Sequence, residues 1–140
     1  MGRKGAVRSK RLVAIVDDEN DITVLFRDAL QRIAGISIFT FTDPKLALEH
    51  FTINKAQYVL VISDLRMPSI NGMELIKKIK NANPSSRTIL MTAFEIDYKL
   101  FQEYSKKKII NGFLQKPIRL DDLFAEVNKQ LHSYELQKNS

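Results

Sequence analysis

The chain has 140 residues, no cysteine and a formal net charge of +6, a size that suits one domain with a sizeable core. The composition excludes disulfides and thiolate metal sites, and no apolar run approaches the ~20 residues that span a bilayer. Five of the 22 basic residues lie in residues 1–11, which hold no acid. We therefore expect a nearly neutral domain over residues 11–137, a flexible basic arm at 1–10 and a frayed tail at 138–140, in a protein that is cytoplasmic by default.

Strand-like and helix-like patterns alternate along the first half of the chain. Residues 11–16 form a short apolar run that predicts a buried strand. Apolar residues at helical spacing follow, and Gly35 is expected to end this first helix. The apolar residues of the helix are Ile22, Leu25, Phe26, Ala29, Leu30 and Ile33. Residues 36–41 predict a second strand, and Asp43-Pro44 predicts the capped start of a second helix.

The same alternation continues to the end of the chain. Residues 58–63 are the most apolar stretch and predict a central third strand. Asn71 and Gly72 open a third helix, which Asn83-Pro84 ends. The remaining predicted elements are a strand at 87–92, a helix at about 95–107, a strand at about 110–115 and a helix starting near Leu120 with Leu120 on its apolar face. Five strands alternating with five helices indicate an α/β fold with a parallel sheet.

Polar side chains stand at the carboxyl ends of four of these strands. Asp17 and Asp18 follow the first strand, Asp64 follows the third, Thr92 ends the fourth and Lys116 follows the fifth. Ligands of open parallel sheets bind outside the carboxyl ends of the strands. The five residues therefore predict one site.

The residue types at this predicted site suit phosphoryl transfer. Clustered carboxylates repel one another, and a hard cation such as Mg²⁺, which prefers oxygen ligands, removes that repulsion. A carboxylate beside Mg²⁺ can attack phosphorus and form an aspartyl phosphate. The Lys116 ammonium and the Thr92 hydroxyl can each contact a phosphoryl oxygen, since such transfer needs mainly positioning and charge neutralisation.

Taken in order, these motifs resemble the receiver domain of two-component response regulators, nearest in form to the single-domain, CheY-like ones. The pattern over about residues 11–137 is Asp17-Asp18, Asp64 with Met67-Pro68 and Gly72, Thr92-Ala93, and Lys116-Pro117. The resemblance implies a doubly wound, flavodoxin-like sheet of five parallel strands in the order 2-1-3-4-5.

The resemblance also implies a role for each site residue. Asp64 would be the phosphoacceptor, and Asp18, Asp64 and the backbone carbonyl of Arg66 would bind Mg²⁺, with Asp17 assisting through water. Thr92 and Lys116 would contact the phosphoryl group. The Lys116-Pro117 bond is expected to be cis.

A switch is implied as well. Thr92 would move toward the phosphoryl group and Phe113 would turn inward, which changes the surface of the fourth helix, fifth strand and fifth helix. The phosphoryl donor would be a histidine kinase or phosphotransfer protein. No effector domain follows the fifth helix, so output is expected through binding an unknown downstream protein, through phosphoryl relay, or through an effector absent from this sequence.

Two other functions compete with this interpretation. A haloacid-dehalogenase-like phosphohydrolase also uses an aspartyl phosphate, but its nucleophile follows the first strand in an Asp-x-Asp pattern, whereas Asp17-Asp18-Glu19 stands here. Direct DNA binding would depend on the basic arm, which has no aromatic residue for base stacking. We therefore expect a signalling module that is not an enzyme, with no membrane partner and no nucleic-acid partner.

Two local features have alternative explanations. Phe94, two residues after Thr92, could shield the acyl phosphate from water, or could only pack at the start of the fourth helix. The run Lys106-Lys107-Lys108 could only complement the dipole at the C-terminus of the fourth helix. It could also attract an acidic partner to the predicted output surface.

Overall fold

The computed structural model of the chain describes residues 11–93 and 98–138. Its strands are β1 (Arg11–Val16), β2 (Ile36–Phe41), β3 (Tyr58–Asp64), β4 (Arg87–Thr92) and β5 (Gly112–Gln115). Its helices are α1 (Asn20–Leu30), α2 (Pro44–Ile53), α3 (Gly72–Ala82), α4 (Tyr98–Lys106) and α5 (Leu120–Lys138). The strands form one parallel sheet in the order β2-β1-β3-β4-β5, which confirms the predicted fold.

Helices cover both faces of the sheet. On one face α1 and α5 pack Leu30 and Val127 against the sheet, where Ile62 belongs to the same apolar cluster. On the other face α2 and α3 form a second cluster, and Phe101 of α4 packs on a third that includes Ile76. Every residue of β3 is buried, as expected for a central strand covered on both sides. Within the described ranges no helix has the length and apolar character to cross a membrane.

Two helices begin at the side chains that the sequence indicated. The Asp43 carboxylate accepts a hydrogen bond from the Lys45 backbone N–H at 2.9 Å, with Pro44 in the first turn of α2. The Asn71 side chain accepts one from the Glu74 N–H at 2.9 Å at the start of α3. Each cap satisfies a backbone donor that the helix itself leaves without a partner.

The first helix is shorter than predicted. α1 ends at Leu30, and Gly35 instead has a φ of +83° in the turn that leads into β2. The buried face of the helix is formed by Thr23, Phe26 and Leu30, and Leu25 is 47% exposed. Thr23 takes an inward position because its hydroxyl donates to the Asn20 carbonyl oxygen, so a polar residue fits there without an unpaired group.

The last strand and the last helix also differ from the prediction. β5 begins at Gly112, because the Asn111 side chain accepts the Thr88 backbone N–H at 2.9 Å and so takes the place of a strand carbonyl. α5 continues through Lys138, one residue beyond the predicted domain end, and Leu120 is exposed. Residues 1–10, 94–97 and 139–140 lie outside the described residues, and these include the basic arm and Phe94.

Candidate functional site

Three carboxylates meet at the carboxyl edge of the sheet. Val16 lies beside Ser63 in the β1–β3 register, so the next residues, Asp17 and Asp64, are neighbours. Asp17, Asp18 and Asp64 each offer an oxygen within 4.8 Å of the others. Asp17 and Asp64 are buried, whereas Asp18 is exposed. The cluster is therefore a negatively charged recess that opens to solvent on the Asp18 side.

Among the described residues, Lys116 is the only one whose ammonium pairs with this cluster. Its Nζ lies 2.9 Å from Asp17 Oδ2 and 3.3 Å from Asp64 Oδ1. Its backbone N–H donates to the Thr92 carbonyl oxygen at 2.7 Å, which fixes the residue after β5 beside the end of β4. The Lys116-Pro117 bond is cis, as predicted.

Glu19 lies at the site, although the sequence did not predict it as a site residue. Its Oε1 lies 4.0 Å from Lys116 Nζ, on an exposed side chain. Its position immediately after Asp17-Asp18 was the one signal that could have identified it. Its backbone N–H donates to Asp17 Oδ1 at 2.9 Å, which helps to hold the buried carboxylate in place.

The charges of the cluster shift two pKa values. Burial raises the pKa of the Asp64 carboxyl, and the neighbouring Asp17 charge raises it further, against the opposing effect of Lys116. Burial alone would lower the pKa of Lys116, but its hydrogen bond to Asp17 and the Asp17 and Asp64 charges outweigh that effect. The pKa of Lys116 therefore lies above its ordinary value, and the ammonium stays charged.

Thr92 and Phe113 lie on the same face of the sheet. Leu90 pairs with Phe113 and Thr92 pairs with Gln115 in the β4–β5 register, and side chains two residues apart on a strand share a face. Thr92 is buried. The Phe113 ring is half-buried and contacts Phe101 of α4 edge-on, with ring centroids 5.1 Å apart. Thr92 and Phe113 therefore share one face of the sheet, and Phe113 contacts α4.

The loop after β3 depends on Gly72. A Cβ at Gly72 would stand 2.1 Å from the Asp64 carbonyl oxygen, and the Gly72 N–H donates to the Leu65 carbonyl oxygen at 2.8 Å. The start of α3 therefore packs directly on the backbone of Asp64, with no room for a side chain. Arg66 lies in this loop and is exposed.

The donor set of the cluster fits a small hard cation. The three acidic side chains offer oxygen alone, which suits Mg²⁺ better than metals that prefer nitrogen or sulfur. Two of the three are buried and close enough to repel each other, and one ammonium cannot balance three carboxylates. A divalent cation would complete the neutralisation, and the exposed Asp18 leaves it open to water.

Known proteins are similar to this chain in sequence. The family model of the response regulator receiver domain matches residues 13–128. The DNA-binding transcriptional regulator NtrC of Klebsiella pneumoniae is 32% identical over 124 residues, which are 89% of this chain and 25% of that protein. Sporulation initiation phosphotransferase F of Bacillus subtilis is 29% identical over 120 residues, 85% of this chain and 92% of that protein.

Solved structures have the same fold as this chain. A response regulator receiver domain from Clostridium thermocellum superposes with a TM-score of 0.80 at 25% identity, covering 91% of this chain and 98% of that one. The Vibrio cholerae chemotaxis protein CheY4 gives a TM-score of 0.72 at 25% identity, covering 86% and 98%. The chain spans about a quarter of the length of the NtrC proteins it matches. This chain belongs to the response regulator receiver domain family of two-component signalling.

Proposed function

We propose that Asp64 accepts a phosphoryl group from a histidine kinase or phosphotransfer protein. The observation that carries the proposal is the cluster itself, in which Asp64 lies beside Asp17 and Asp18 and 3.3 Å from the Lys116 ammonium. Asp64 is the member that ends the central strand, with its backbone fixed by Gly72 and its carboxylate at the edge of the recess.

The transfer is a substitution at phosphorus. An Asp64 carboxylate oxygen forms the new bond to phosphorus, while the bond from phosphorus to the donor's histidine nitrogen breaks and the nitrogen keeps the electron pair. The attacking oxygen must be ionised. Burial and the Asp17 charge raise the pKa of Asp64, and a bound cation would favour the ionised form that the attack requires.

Mg²⁺ is the proposed cofactor of this phosphoryl transfer. Asp18, Asp64 and the backbone carbonyl of Arg66 would hold Mg²⁺, with Asp17 assisting through water, and the ion would neutralise charge on the phosphoryl oxygens. Lys116 already lies between Asp17 and Asp64 and would pair with one phosphoryl oxygen. The Thr92 hydroxyl would donate to another.

The response to phosphorylation would pass through Thr92 and Phe113. Movement of Thr92 toward the phosphoryl group would open space on its face of the sheet, and the Phe113 ring would turn inward to fill it. The contact between Phe113 and Phe101 couples that rotation to α4. We propose that the surface of α4, β5 and α5 thereby changes its affinity for a downstream protein.

We further propose that the chain is a signalling module in the cytoplasm. It would hold a phosphoryl group on itself, whereas an enzyme would turn over external substrates. Its receiver unit is residues 11–137, and the family match at 13–128 supports most of that range. Slow hydrolysis of its own phosphoryl group is compatible with this role.

Intact mass spectrometry after incubation with acetyl phosphate and Mg²⁺ tests the proposal. The wild-type chain should gain one phosphoryl group, and Asp64→Asn should gain none. Asp121→Asn, which changes an exposed aspartate in the first turn of α5, is the matched control and should be phosphorylated like the wild type. An unmodified wild-type chain, or an adduct that survives in Asp64→Asn, would contradict the assignment.

A further inference from the structure

The peptide group between Asp64 and Leu65 is held at both of its polar ends. Its carbonyl oxygen, which belongs to Asp64, accepts a buried hydrogen bond from the Ser63 hydroxyl at 2.9 Å. Its N–H, which belongs to Leu65, donates to the Met91 carbonyl oxygen at the neighbouring position of β4, at 2.8 Å. Because a peptide group is planar, partners on its oxygen and on its nitrogen together fix its rotation.

The Ser63 hydroxyl takes the place of a strand partner. The C=O and N–H groups of a trans peptide point in opposite directions. The Leu65 N–H faces β4, so the Asp64 carbonyl faces β1, whose pairing with β3 ends at Val16 and Ser63. Ser63 is fully buried, and a buried carbonyl oxygen without a donor is costly. The hydroxyl therefore supplies a hydrogen bond where the ladder between the two strands has ended.

The start of α3 restricts the same carbonyl group from another side. A Cβ at Gly72 would stand 2.1 Å from the Asp64 carbonyl oxygen and 2.9 Å from its carbonyl carbon. This close packing blocks movement of the oxygen toward α3, but it supplies no hydrogen bond. Gly72 and the Ser63 hydroxyl therefore act on the carbonyl in different ways, and neither can replace the other.

We propose that Ser63 is a positioning residue for phosphoryl transfer. The peptide group that it holds connects Asp64, the proposed nucleophile, to the loop that carries the Arg66 carbonyl, a proposed Mg²⁺ ligand. Rotation of this group changes ψ of Asp64 and φ of Leu65 together, and so displaces the Arg66 carbonyl relative to the Asp64 carboxylate. The Ser63 hydroxyl prevents that displacement. This role rests on the proposed function of Asp64, although Ser63 itself does not contact the phosphoryl group.

Ser86 is a matched control at the other end of the same strand. It is also fully buried, and its hydroxyl donates to the carbonyl oxygen of Tyr58, the first residue of β3, at 2.7 Å. Ser63 donates to the carbonyl oxygen of the last residue of β3. Alanine at either position removes one buried hydroxyl from one end of β3. The two variants should therefore lose similar stability, and only Ser63→Ala should change phosphoryl transfer.

The rate of phosphorylation by acetyl phosphate tests the proposal, with intact mass followed over time at saturating Mg²⁺. Ser63→Ala should react about tenfold more slowly than the wild type, because small displacements of a reacting group have large effects on rate. It should also need more Mg²⁺ for half of its maximal rate. Ser86→Ala should match the wild type in both respects, and urea denaturation should give the two variants similar midpoints. Equal rates in Ser63→Ala and the wild type would overturn the proposal.

A second variant covers poor folding of Ser63→Ala. Ser63→Cys retains a side chain of similar shape, but a thiol is only a weak hydrogen-bond donor. Its rate should therefore also fall below that of the wild type. A Ser63→Cys chain that is folded and reacts at the wild-type rate would show that the hydroxyl is not needed.

Amide hydrogen exchange tests the positioning without any phosphoryl donor. Loss of the Ser63 hydroxyl frees one end of the peptide group, so the Leu65 N–H should exchange about tenfold faster in Ser63→Ala than in the wild type. Ser86→Ala should leave exchange at Leu65 nearly unchanged. If the Leu65 N–H exchanges equally in the two alanine variants, Ser63 does not hold this peptide group and the proposal is wrong.

The two proposals fail in different ways. A wild-type chain that gains no phosphoryl group would overturn the proposed function of Asp64, and the role of Ser63 in transfer with it. A wild-type chain that is phosphorylated no faster than Ser63→Ala would overturn the role of Ser63 alone.

Discussion

The two ends of the parallel sheet surround their charged side chains with different partners. At the carboxyl end, the buried carboxylates of Asp17 and Asp64 face one ammonium, that of Lys116. At the amino end, the Lys80 ammonium donates to three neutral oxygens, the Ser86 carbonyl at 2.6 Å, Asn111 Oδ1 at 2.7 Å and the Pro84 carbonyl at 3.5 Å. The first end groups three carboxylates around one ammonium, and at the second end neutral oxygens hold the Lys80 ammonium.

The amino end continues as a network of amides. Arg87 Nε donates to Gln130 Oε1 at 2.9 Å, and Gln130 Nε2 donates to the Asn111 carbonyl oxygen at 3.1 Å. The Thr88 backbone N–H donates to Asn111 Oδ1 at 2.9 Å. Each of these groups has a fixed partner on the chain itself, so the network tightens the starts of β4 and β5.

The difference separates a structural polar cluster from a functional one. At the amino end Lys80 and Arg87 donate to amide and carbonyl oxygens of the chain. The Glu126 carboxylate, which accepts from Gln130 Nε2 at 2.7 Å, supplies an opposite charge there. At the carboxyl end the negative charge exceeds the positive, and the shortfall matches a divalent cation and then a phosphoryl group. Both ends bury polar groups, so burial alone does not distinguish them. The balance between negative and positive charge at each end distinguishes them.

The largest expected effect is that of Gly72→Ala at the carboxyl end. Its Cβ would meet the Asp64 carbonyl oxygen at 2.1 Å, so the backbone must shift, and the free energy of unfolding should fall by about 3 kcal/mol. Phosphorylation by acetyl phosphate should be lost as well. Urea denaturation and intact mass measure the two effects.

Gly35→Ala is the matched glycine control. Nothing lies within 4 Å of its Cβ, and its φ of +83° is the remaining source of strain, which should cost about 1 kcal/mol. Gly35→Ala should remain fully phosphorylated. Equal losses of stability in the two variants would show that close packing on Asp64 is not what requires Gly72.

Asn111→Ala should have the next largest effect, at the amino end. The substitution leaves the Thr88 N–H and one bond of the Lys80 ammonium without partners, and the free energy of unfolding should fall by about 2 kcal/mol. Asn128→Ala, which changes an exposed asparagine on α5, should cost much less. Phosphorylation should persist in both. Its loss in Asn111→Ala would mean that the two ends are coupled.

A smaller effect should appear in the pH dependence of stability. Burial lowers the pKa of Lys80 to about 8, and the Arg87 charge contributes, while an unfolded lysine titrates near its ordinary value. Between these two pKa values the unfolded chain binds more protons, so this residue makes stability rise with pH. After allowance for solvent screening, the gain should be about 1 kcal/mol.

Lys80→Met should remove that rise, whereas Lys77→Met, at an exposed position of the same helix, should retain it. Urea denaturation of both variants between pH 7.5 and about pH 10, the interval over which a lowered lysine pKa acts, measures the difference. An identical profile in the wild type and Lys80→Met would show that Lys80 titrates like a surface lysine.

The smallest expected effect is a gain in stability from Asp64→Asn. The raised pKa of Asp64 means that the folded state is disfavoured by ionisation, so its unfavourable contribution is absent below the unfolded pKa and develops as pH rises through the folded pKa. At neutral pH the variant should be more stable than the wild type, by less than the changes described above. Thermal unfolding at pH 4 and pH 7 should show the gap widening with pH, and a gap of opposite sign would contradict the assigned direction. Asp121→Asn is again the control.

The alternation of apolar runs and helical faces was sufficient to predict an α/β fold with a parallel sheet, whereas the strand order came from the resemblance to receiver domains. β3 could be placed at the centre because all its positions are apolar up to Ser63, and the cap at Asp43 was visible because side-chain capping is local. The grouping of Asp17, Asp64 and Lys116 could also be expected, since the carboxyl ends of parallel strands share one edge.

Features that depend on tertiary contacts could not be predicted. The end of α1 depends on how the turn at Gly35 enters β2, and the start of β5 depends on a side chain, Asn111, that replaces a backbone partner. Glu19 lies near Lys116 because that ammonium extends from the end of β5 to Asp17 at the end of β1. For Asn111 and for Glu19 the deciding partner lies far along the chain, outside the reach of local patterns.

The exposure of Asp18 has a consequence for the order of events. Asp17 and Asp64 are buried, so among the three carboxylates Asp18 is the one that a cation entering from solvent can reach directly. A donor protein seated over Asp18 would block the path of the ion. On the proposed function, the ion therefore binds first and the donor second, and adding magnesium to a preformed complex with the donor should start the reaction only after a lag.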